Sequence, residues 1–343
     1  MSKLLELNNV TFSFRTYGGV VQSVRDVSFD INQGEIVGVV GESGCGKSVT
    51  CQCILRLNPE PPGFFSKDSS IKYKGEELLI KSDKAMRKIR GKEISFIFQD
   101  PMTSLNPTMK IGKQIEEIFA YDKSLSKEEK KQKALDILST VGISDARRRY
   151  GQYPHELSGG MKQRVMIAMA LVGNPSVVIA DEPTTSLDVT IEAQILDLLK
   201  EMKEKFNVSI ILITHDLGVI AKLCDRVMVM YGGKIVERGT VEDIFYRTKH
   251  PYTTGLLKSI ARLDMKKGEK LTPIEGTPPD LFNPPAGCPF AARCDYCMEI
   301  CNETFPEEYK ITQGHHSCCW LQHEDAPEVE LVSGEIKEEG NGE

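Results

Sequence analysis

A chain of 343 residues is longer than the ~250–300 over which a single hydrophobic core keeps growing, so one large α/β unit with an appendage is expected. Lys and Arg number 43 against 49 Asp and Glu, a formal charge of −6, which excludes a broadly basic nucleic-acid surface and a polybasic membrane anchor. No apolar run comes near the ~20 residues that span a bilayer, and residues 1–6 have neither the apolar stretch nor the cleavage site of a signal peptide. A cytoplasmic protein that reaches a membrane only through partners is the expectation.

Residues 4–10, 24–31 and 35–40 alternate apolar and polar positions around turns at Tyr17-Gly18-Gly19 and Asn32-Gln33-Gly34, which predicts several β-strands. The last strand feeds Gly41-Glu42-Ser43-Gly44-Cys45-Gly46-Lys47-Ser48. This matches G-x-x-x-x-G-K-[ST] between a strand and a helix over residues 49–57, the context that confirms a P-loop. Its glycines let the backbone N–H groups from Gly41 through Gly44 and Gly46 to Val49 wrap phosphates, Lys47 reaches the β and γ oxygens, and Ser48 can ligate Mg²⁺. Cys45 fills a variable position; near a helix N-terminus it could also be a reactive thiol.

From residue 84 to 149 the pattern is charged and helical, clearest over 128–141, and predicts a helical insertion at about 100–158. Leu157-Ser158-Gly159-Gly160-Met161-Lys162-Gln163 then reads as a helix start. Ser158 caps it, Gly159 and Gly160 let a phosphate approach, and the open N–H groups carry roughly half a positive charge. Taken alone, the run is an ordinary helix cap. Residues 177–180 and 210–214 are short β-branched runs flanking a helix over 189–206, a βαβ unit. The first ends in Asp181-Glu182, where Asp181 suits Mg²⁺ through water and Glu182, just before a proline turn, suits the general base that polarises the attacking water.

A hairpin across Gly232-Gly233 and a short helix to about residue 262 lead into a proline-rich, loop-rich module. Six of the ten cysteines crowd there: Cys288, Cys294, Cys297, Cys301, Cys318 and Cys319. In a reducing compartment such crowding favours metal over disulfides. Thiolates crowded in a loop-rich region are what an iron–sulfur cluster needs. Cys294 and Cys297 with His315 or His316 could instead make a zinc site, and reduced buried thiols are the plain alternative. From residue 324 the chain is acidic and poor in apolar residues, which predicts disorder. The sequence contains no evident internal repeat.

The P-loop, LSGGMKQ, DEPTTSLD and Ile213-Thr214-His215-Asp216 stand in the order and spacing of ABC-transporter ATP-binding subunits, which residues 4 to about 262 resemble. The resemblance implies an α/β P-loop NTPase of the ABC-ATPase type with a helical insertion subdomain, using ATP and Mg²⁺. By the same likeness Gln99 links Mg²⁺ and the γ-phosphate to the insertion, Asp188 crosses a dimer, and His215 meets the γ-phosphate. Phe14 is the aromatic that stacks on adenine, with Phe12 and Tyr17 close by. Ser158, Gly159 and Gly160 act on the nucleotide of a partner.

The stretch Gln99-Asp100-Pro101-Met102-Thr103-Ser104-Leu105-Asn106-Pro107 resembles the peptide and nickel importers, and the tail resembles the C-terminal module of oligopeptide/dipeptide importer subunits. That module is similar to one holding a [4Fe–4S] cluster on positions matching Cys288, Cys294, Cys301 and Cys319. Implied partners are a second homologous ATP-binding subunit in a heterodimer, two transmembrane permease subunits and an extracellular peptide-binding protein. The implied place is the cytoplasmic face of the cell membrane. The expected organisation is a nucleotide-binding domain at 1–262, a cysteine module at 263–323 and an acidic tail at 324–343. Import of short peptides is the expected work, with nickel or another small solute as the alternative cargo. A soluble ABC ATPase of DNA repair or translation would show paired nucleotide domains, a long coiled-coil insertion or a basic surface, and none is visible. An iron–sulfur redox protein would need a substrate pocket that the sequence does not reveal.

Overall fold

The computed structural model describes residues 3–122, 124–185, 188–259, 273–329 and 331. The acidic tail beyond residue 331, the end of the short helix near residue 262, and Ser186 and Leu187 of DEPTTSLD lie outside these. In chain order the elements begin with strands β1 (Lys3–Thr16), β2 (Gly19–Asn32) and β3 (Ile36–Val40) and helix α1 (Lys47–Ile54). Then come β4 (Gly63–Phe65), β5 (Ser70–Tyr73), β6 (Glu76–Glu77), α2 (Asp83–Ile89) and β7 (Ile94–Ile97). Helices α3 (Pro101–Ser104), α4 (Ile111–Glu116), α5 (Lys127–Thr140), α6 (Ala146–Tyr150) and α7 (Gly159–Leu171) follow. The sequence continues with β8 (Val177–Asp181), α8 (Val189–Phe206), β9 (Ser209–Ile213), α9 (Leu217–Leu223), β10 (Arg226–Tyr231) and β11 (Lys234–Thr240). Helices α10 (Val241–Tyr246), α11 (Pro251–Lys258) and α12 (Glu299–Glu303) and strands β12 (Tyr309–Lys310) and β13 (His316–Ser317) complete it.

These elements form two compact units, each discontinuous in sequence. One holds Met1–Glu6, Asp30–Ile36 and Lys72–Thr214; the other holds Leu7–Phe29, Val37–Ile71 and His215–Glu343. In the first unit β7, β8 and β9 run parallel, Ile97 opposite Ala180 and Ala180 opposite Leu212. Every residue of β8 and β9 is buried, as expected of strands covered on both faces. Helix α8 presents Ile195, Leu198, Leu199 and Met202 as its buried stripe, starts on the Asp188 side chain and stops at Asn207 in the left-handed conformation (φ 49°). Helix α5 begins in a capping box of Ser126 and Glu129 and packs on α4, α6 and α7, giving the expected helical region. The charged helical stretch expected from residue 84 is, however, interrupted by β7. Its four residues sit between Lys92-Glu93 and Gln99-Asp100, so polar and charged neighbours on either side hide a largely buried strand.

In the second unit β10 pairs parallel with β3 and antiparallel with β11. Gly232 and Gly233 have φ of 55° and 80°, the double positive φ of a two-residue hairpin turn that glycine meets without strain. The core gathers Val40, Ile220, Val227, Val229, Tyr231, Val236, Tyr252 and Phe290. Phe290 comes from the cysteine module, and β13 pairs with β11, Glu237 opposite Ser317 and Arg238 opposite His316. The several strands expected before the P-loop prove to be two long ones of 14 residues each and the short β3 of five. Among the described residues no helix is long and apolar enough to cross a membrane.

In the first unit, fully buried Ser209 ties the turn before β3 to the start of β9: its Oγ donates to the Asn32 carbonyl (2.9 Å) and accepts from the Gly34 N–H (2.8 Å). Ser209→Ala leaves both groups unpaired and is expected to destabilise the protein by about 1–3 kcal/mol, read from urea unfolding.

Candidate functional site

The P-loop lies between β3 and α1. Gly41, Gly44 and Gly46 have φ of 148°, 77° and 99°. A Cβ on Gly41 would collide with the Met230 carbonyl, and one on Gly46 with the Ser23 carbonyl. Two of the three glycines are therefore required by close backbone approach as well as by dihedral angle. The neighbouring strand shifts register between Val229 and Met230, a bulge placed where the Met230 carbonyl meets the loop. Helix α1 starts with no side-chain cap, so its N–H groups are not taken by a capping side chain. Buried Lys47 donates to the carbonyls of Gly41 (2.8 Å) and Glu42 (2.9 Å). Cys45 is buried and its thiol pKa is raised by desolvation, which makes it a packing residue and not a reactive thiolate.

Asp181 ends β8 and is buried. The next residue, Glu182, has φ 44°, a left-handed conformation costing a non-glycine residue about 1–2 kcal/mol, and its N–H donates to the Ile213 carbonyl (2.9 Å). The turn brings its Oε2 to the Gln99 Nε2 (2.8 Å) and the Thr185 Oγ1 (2.9 Å), both of which donate to it. Gln99 and Glu182, 83 residues apart, thus meet directly. His215 follows β9, and Asp216 beside it caps α9 by accepting from the Gly218 and Val219 N–H groups. Phe14 is half-buried on β1. Phe12 is fully buried between Phe14 and Phe65 and belongs to the core, while Tyr17 stands fully exposed in the turn.

Ser158 caps α7, its Oγ accepting from the Met161 N–H (3.4 Å). The two glycines after it differ. A Cβ on Gly159 meets nothing within 4 Å, whereas one on Gly160 would stand 2.9 Å from the Ile191 Cγ2 of α8. Gly159 keeps the surface open, and Gly160 in addition lets α8 pack. Asp188 caps α8 by accepting from the N–H of the same Ile191 (3.0 Å), so the two motifs share one contact.

Cys288, Cys294, Cys301 and Cys319 line one small apolar cavity together with His250, Phe290 and Trp320. Burial, and after it the neighbouring sulfurs, pushes Cys288 and Cys319 up to about 12 and Cys294 to about 11, and burial raises Cys301 as well. Neutral thiols are the favoured form unless a cation compensates. Cys297 is exposed, and Cys318, though buried, is not among the residues that line the cavity. Buried His250 accepts from the Tyr252 N–H at Nδ1, so its ring proton is on Nε2, which has no hydrogen-bond partner. Burial lowers its pKa to about 3. Among the described residues no three His, Cys, Asp or Glu side chains converge on a single ion. The zinc arrangement is not formed: His315 is bonded to Glu237 (2.8 Å) and His316 lies 3.3 Å from Glu308. His250 and Arg293 escaped the sequence reading, and only their neighbours Pro251 and Cys294 hinted at them.

A P-loop with a strand-end carboxylate pair and a second, capped phosphate-type helix start defines an ATP-binding cassette. The ABC transporter family matches residues 24–185, and the oligopeptide/dipeptide transporter C-terminal region matches residues 236–301. The chain is 54% identical to the oligopeptide transport ATP-binding protein OppD of Bacillus subtilis (strain 168) over 96% of its length and 92% of that protein's. It is also 54% identical to the dipeptide transport ATP-binding protein DppD of the same organism, over 98% and 100%. A dimeric ATP-binding cassette solved in a post-hydrolysis state with ADP and Pi has a TM-score of 0.61 and 29% identity, covering 69% of this chain and 98% of that one. The chain belongs to the ATP-binding subunits of ABC transporters, and it is an ATPase.

Gly160→Ala is expected to force Ile191 aside and cost about 1–3 kcal/mol, lowering the Tm. Gly159→Ala, on an open surface at a helix start, should leave the Tm unchanged; thermal scans of both variants check the difference.

Proposed function

We propose that the chain hydrolyses ATP to drive import of short peptides, bound on the cytoplasmic side of the membrane to two permease subunits, with a homologous ATP-binding subunit as its partner and an extracellular peptide-binding protein delivering cargo. Likeness over nearly the whole chain to both an oligopeptide and a dipeptide transport protein carries this reading. The P-loop amides and Lys47 would hold the phosphates, Phe14 would stack on the base, and Ser48, Gln99 and Asp181 would hold Mg²⁺, which would supply charge neutralisation at the γ-phosphate. Glu182 orients and deprotonates the attacking water. Its hydrogen bond to Gln99 supports this: the amide that senses the γ-phosphate holds the base in one rotamer. His215 steadies developing charge on the γ-phosphate. Ser158, Gly159, Gly160 and Asp188 serve the partner's nucleotide, as suits the dimeric form of the similar cassette.

The cysteine cavity fits a [4Fe–4S] cluster. Four thiols face one space, and the unpartnered Nε2–H of His250 lies in its wall. Each thiolate of a cluster binds its own iron, and the four cysteines around this cavity are the donors that it would need. The cluster would staple a module made mostly of loops. Cys288, Cys294, Cys301 and Cys319 would hold it.

Glu182→Gln removes the base and keeps the size. Turnover should fall more than ~100-fold and peptide uptake by vesicles carrying the assembled transporter should stop, while ATP binding persists; retained turnover would place the base elsewhere. Protein purified without oxygen should be brown and carry about four irons per chain, and a colourless, iron-free sample would remove the cluster.

A further inference from the structure

Glu42 is the second residue of the P-loop, a carboxylate on a loop built to hold a polyanion. Within the second unit it is gripped from three sides. Its N–H donates to the Tyr252 hydroxyl (2.8 Å), its carbonyl accepts from Lys47 (2.9 Å), and its carboxylate receives a two-pronged contact from Arg293: Nη1 to Oε2 at 2.6 Å and Nη2 to Oε1 at 3.0 Å. Arg293 belongs to the cysteine module, 251 residues away and next to Cys294. It is held in turn by the Tyr231 hydroxyl (2.9 Å) and by the carbonyls of Ile274 (3.0 Å) and Glu275 (2.8 Å), and its side chain is 5% exposed. Every guanidinium nitrogen is engaged. The plane also lies near the rings of Tyr231 (5.7 Å) and Phe290 (5.9 Å), in an aromatic cluster closed by Tyr252.

We infer that Arg293 is a positioning residue for the ATP site: it fixes Glu42, and through Glu42 the carbonyl that Lys47 meets, and it cancels the one negative charge on the phosphate loop. The inference rests on the P-loop's role as the phosphate site. Both effects act on the same carboxylate, but they respond differently to substitution. Removing Arg293 loosens the loop and also leaves a bare carboxylate to repel the phosphates. Removing the charge of Glu42 loosens the loop but leaves the Arg293 cation, which attracts the phosphates and offsets part of the loss.

The test is binding of a fluorescent ATP analogue with Mg²⁺ to the purified full chain, alongside ATPase kinetics and thermal melting. Arg293→Gln should weaken binding about tenfold, equivalent to about 1.4 kcal/mol, with KM rising in proportion and kcat changing less than about twofold. Glu42→Gln should weaken binding less, and adding it to Arg293→Gln should restore affinity toward the Glu42→Gln level. Arg293→Lys keeps the charge and loses the fork, so it should fall between wild type and Arg293→Gln. Arg238, which makes a similar two-pronged pair with Glu308 (2.7 Å on both prongs) but does not touch the P-loop, is the control: Arg238→Gln should move the Tm and not the affinity. Wild-type affinity in Arg293→Gln, a double variant weaker than Arg293→Gln, or an equal loss in Arg238→Gln would each overturn the inference. If Arg293→Gln does not fold, Arg293→Lys against Glu42→Gln decides it by the same order. A wild-type chain that binds no nucleotide would instead overturn the reading of the P-loop.

Discussion

Two backbones approach at Gly41 and Gly46 more closely than any side chain permits, and the nucleotide machinery of the second unit depends on that approach. A loop that must present successive N–H groups to phosphate cannot also satisfy them internally, so it has to be held from outside. The Met230 and Ser23 carbonyls lie against its two ends, and the Tyr252 hydroxyl accepts the Glu42 N–H between them. Strand β10 is therefore both a sheet element and one wall of the loop, and its bulge at Val229 and Met230 is the local adjustment that brings a carbonyl to the glycine.

In the first unit the corresponding constraint is the left-handed turn at Glu182. Strand β8 would otherwise carry its side chains on to alternate faces; the turn at φ 44° redirects the carboxylate toward Gln99 and Thr185. A strained residue kept in place by hydrogen bonds to Ile213, Gln99 and Thr185 is the kind of position where function outweighs local preference. The signature helix and Asp188 are joined by a smaller device, Ile191, whose backbone caps one motif and whose side chain fills the space that Gly160 leaves.

Much of this was legible because phosphate chemistry writes itself in local runs. The P-loop, the capped start of α7 and the helix from Val189 to Phe206 each carry their reason within a few consecutive residues, and their bounds agree with the structure. Strand β7 was not legible, because four residues, three of them buried, between polar and charged neighbours have no period to read. Nor were the tertiary roles. Gly159 and Gly160 look identical in sequence and part company only when α8 arrives beside one of them. Cys288, Cys294, Cys301 and Cys319 were separable from Cys297 and Cys318 by likeness to a family, yet the physical reason, that four line one cavity and two do not, exists only in three dimensions. His250 and Arg293 lie beside motifs without belonging to them, and a long-range partner is what gives each its meaning.

The pairing of β13 with β11 gives the cysteine module a part in the architecture as well as in chemistry. A chain cut before the module would lose Phe290 from the core and would leave β11 as the outermost strand of its unit, a row of unpaired N–H and C=O groups open to any other extended segment. The module thus acts as a cover strip on a sheet edge. Expressed without it, the nucleotide-binding half would tend toward self-association for reasons unrelated to ATP or iron.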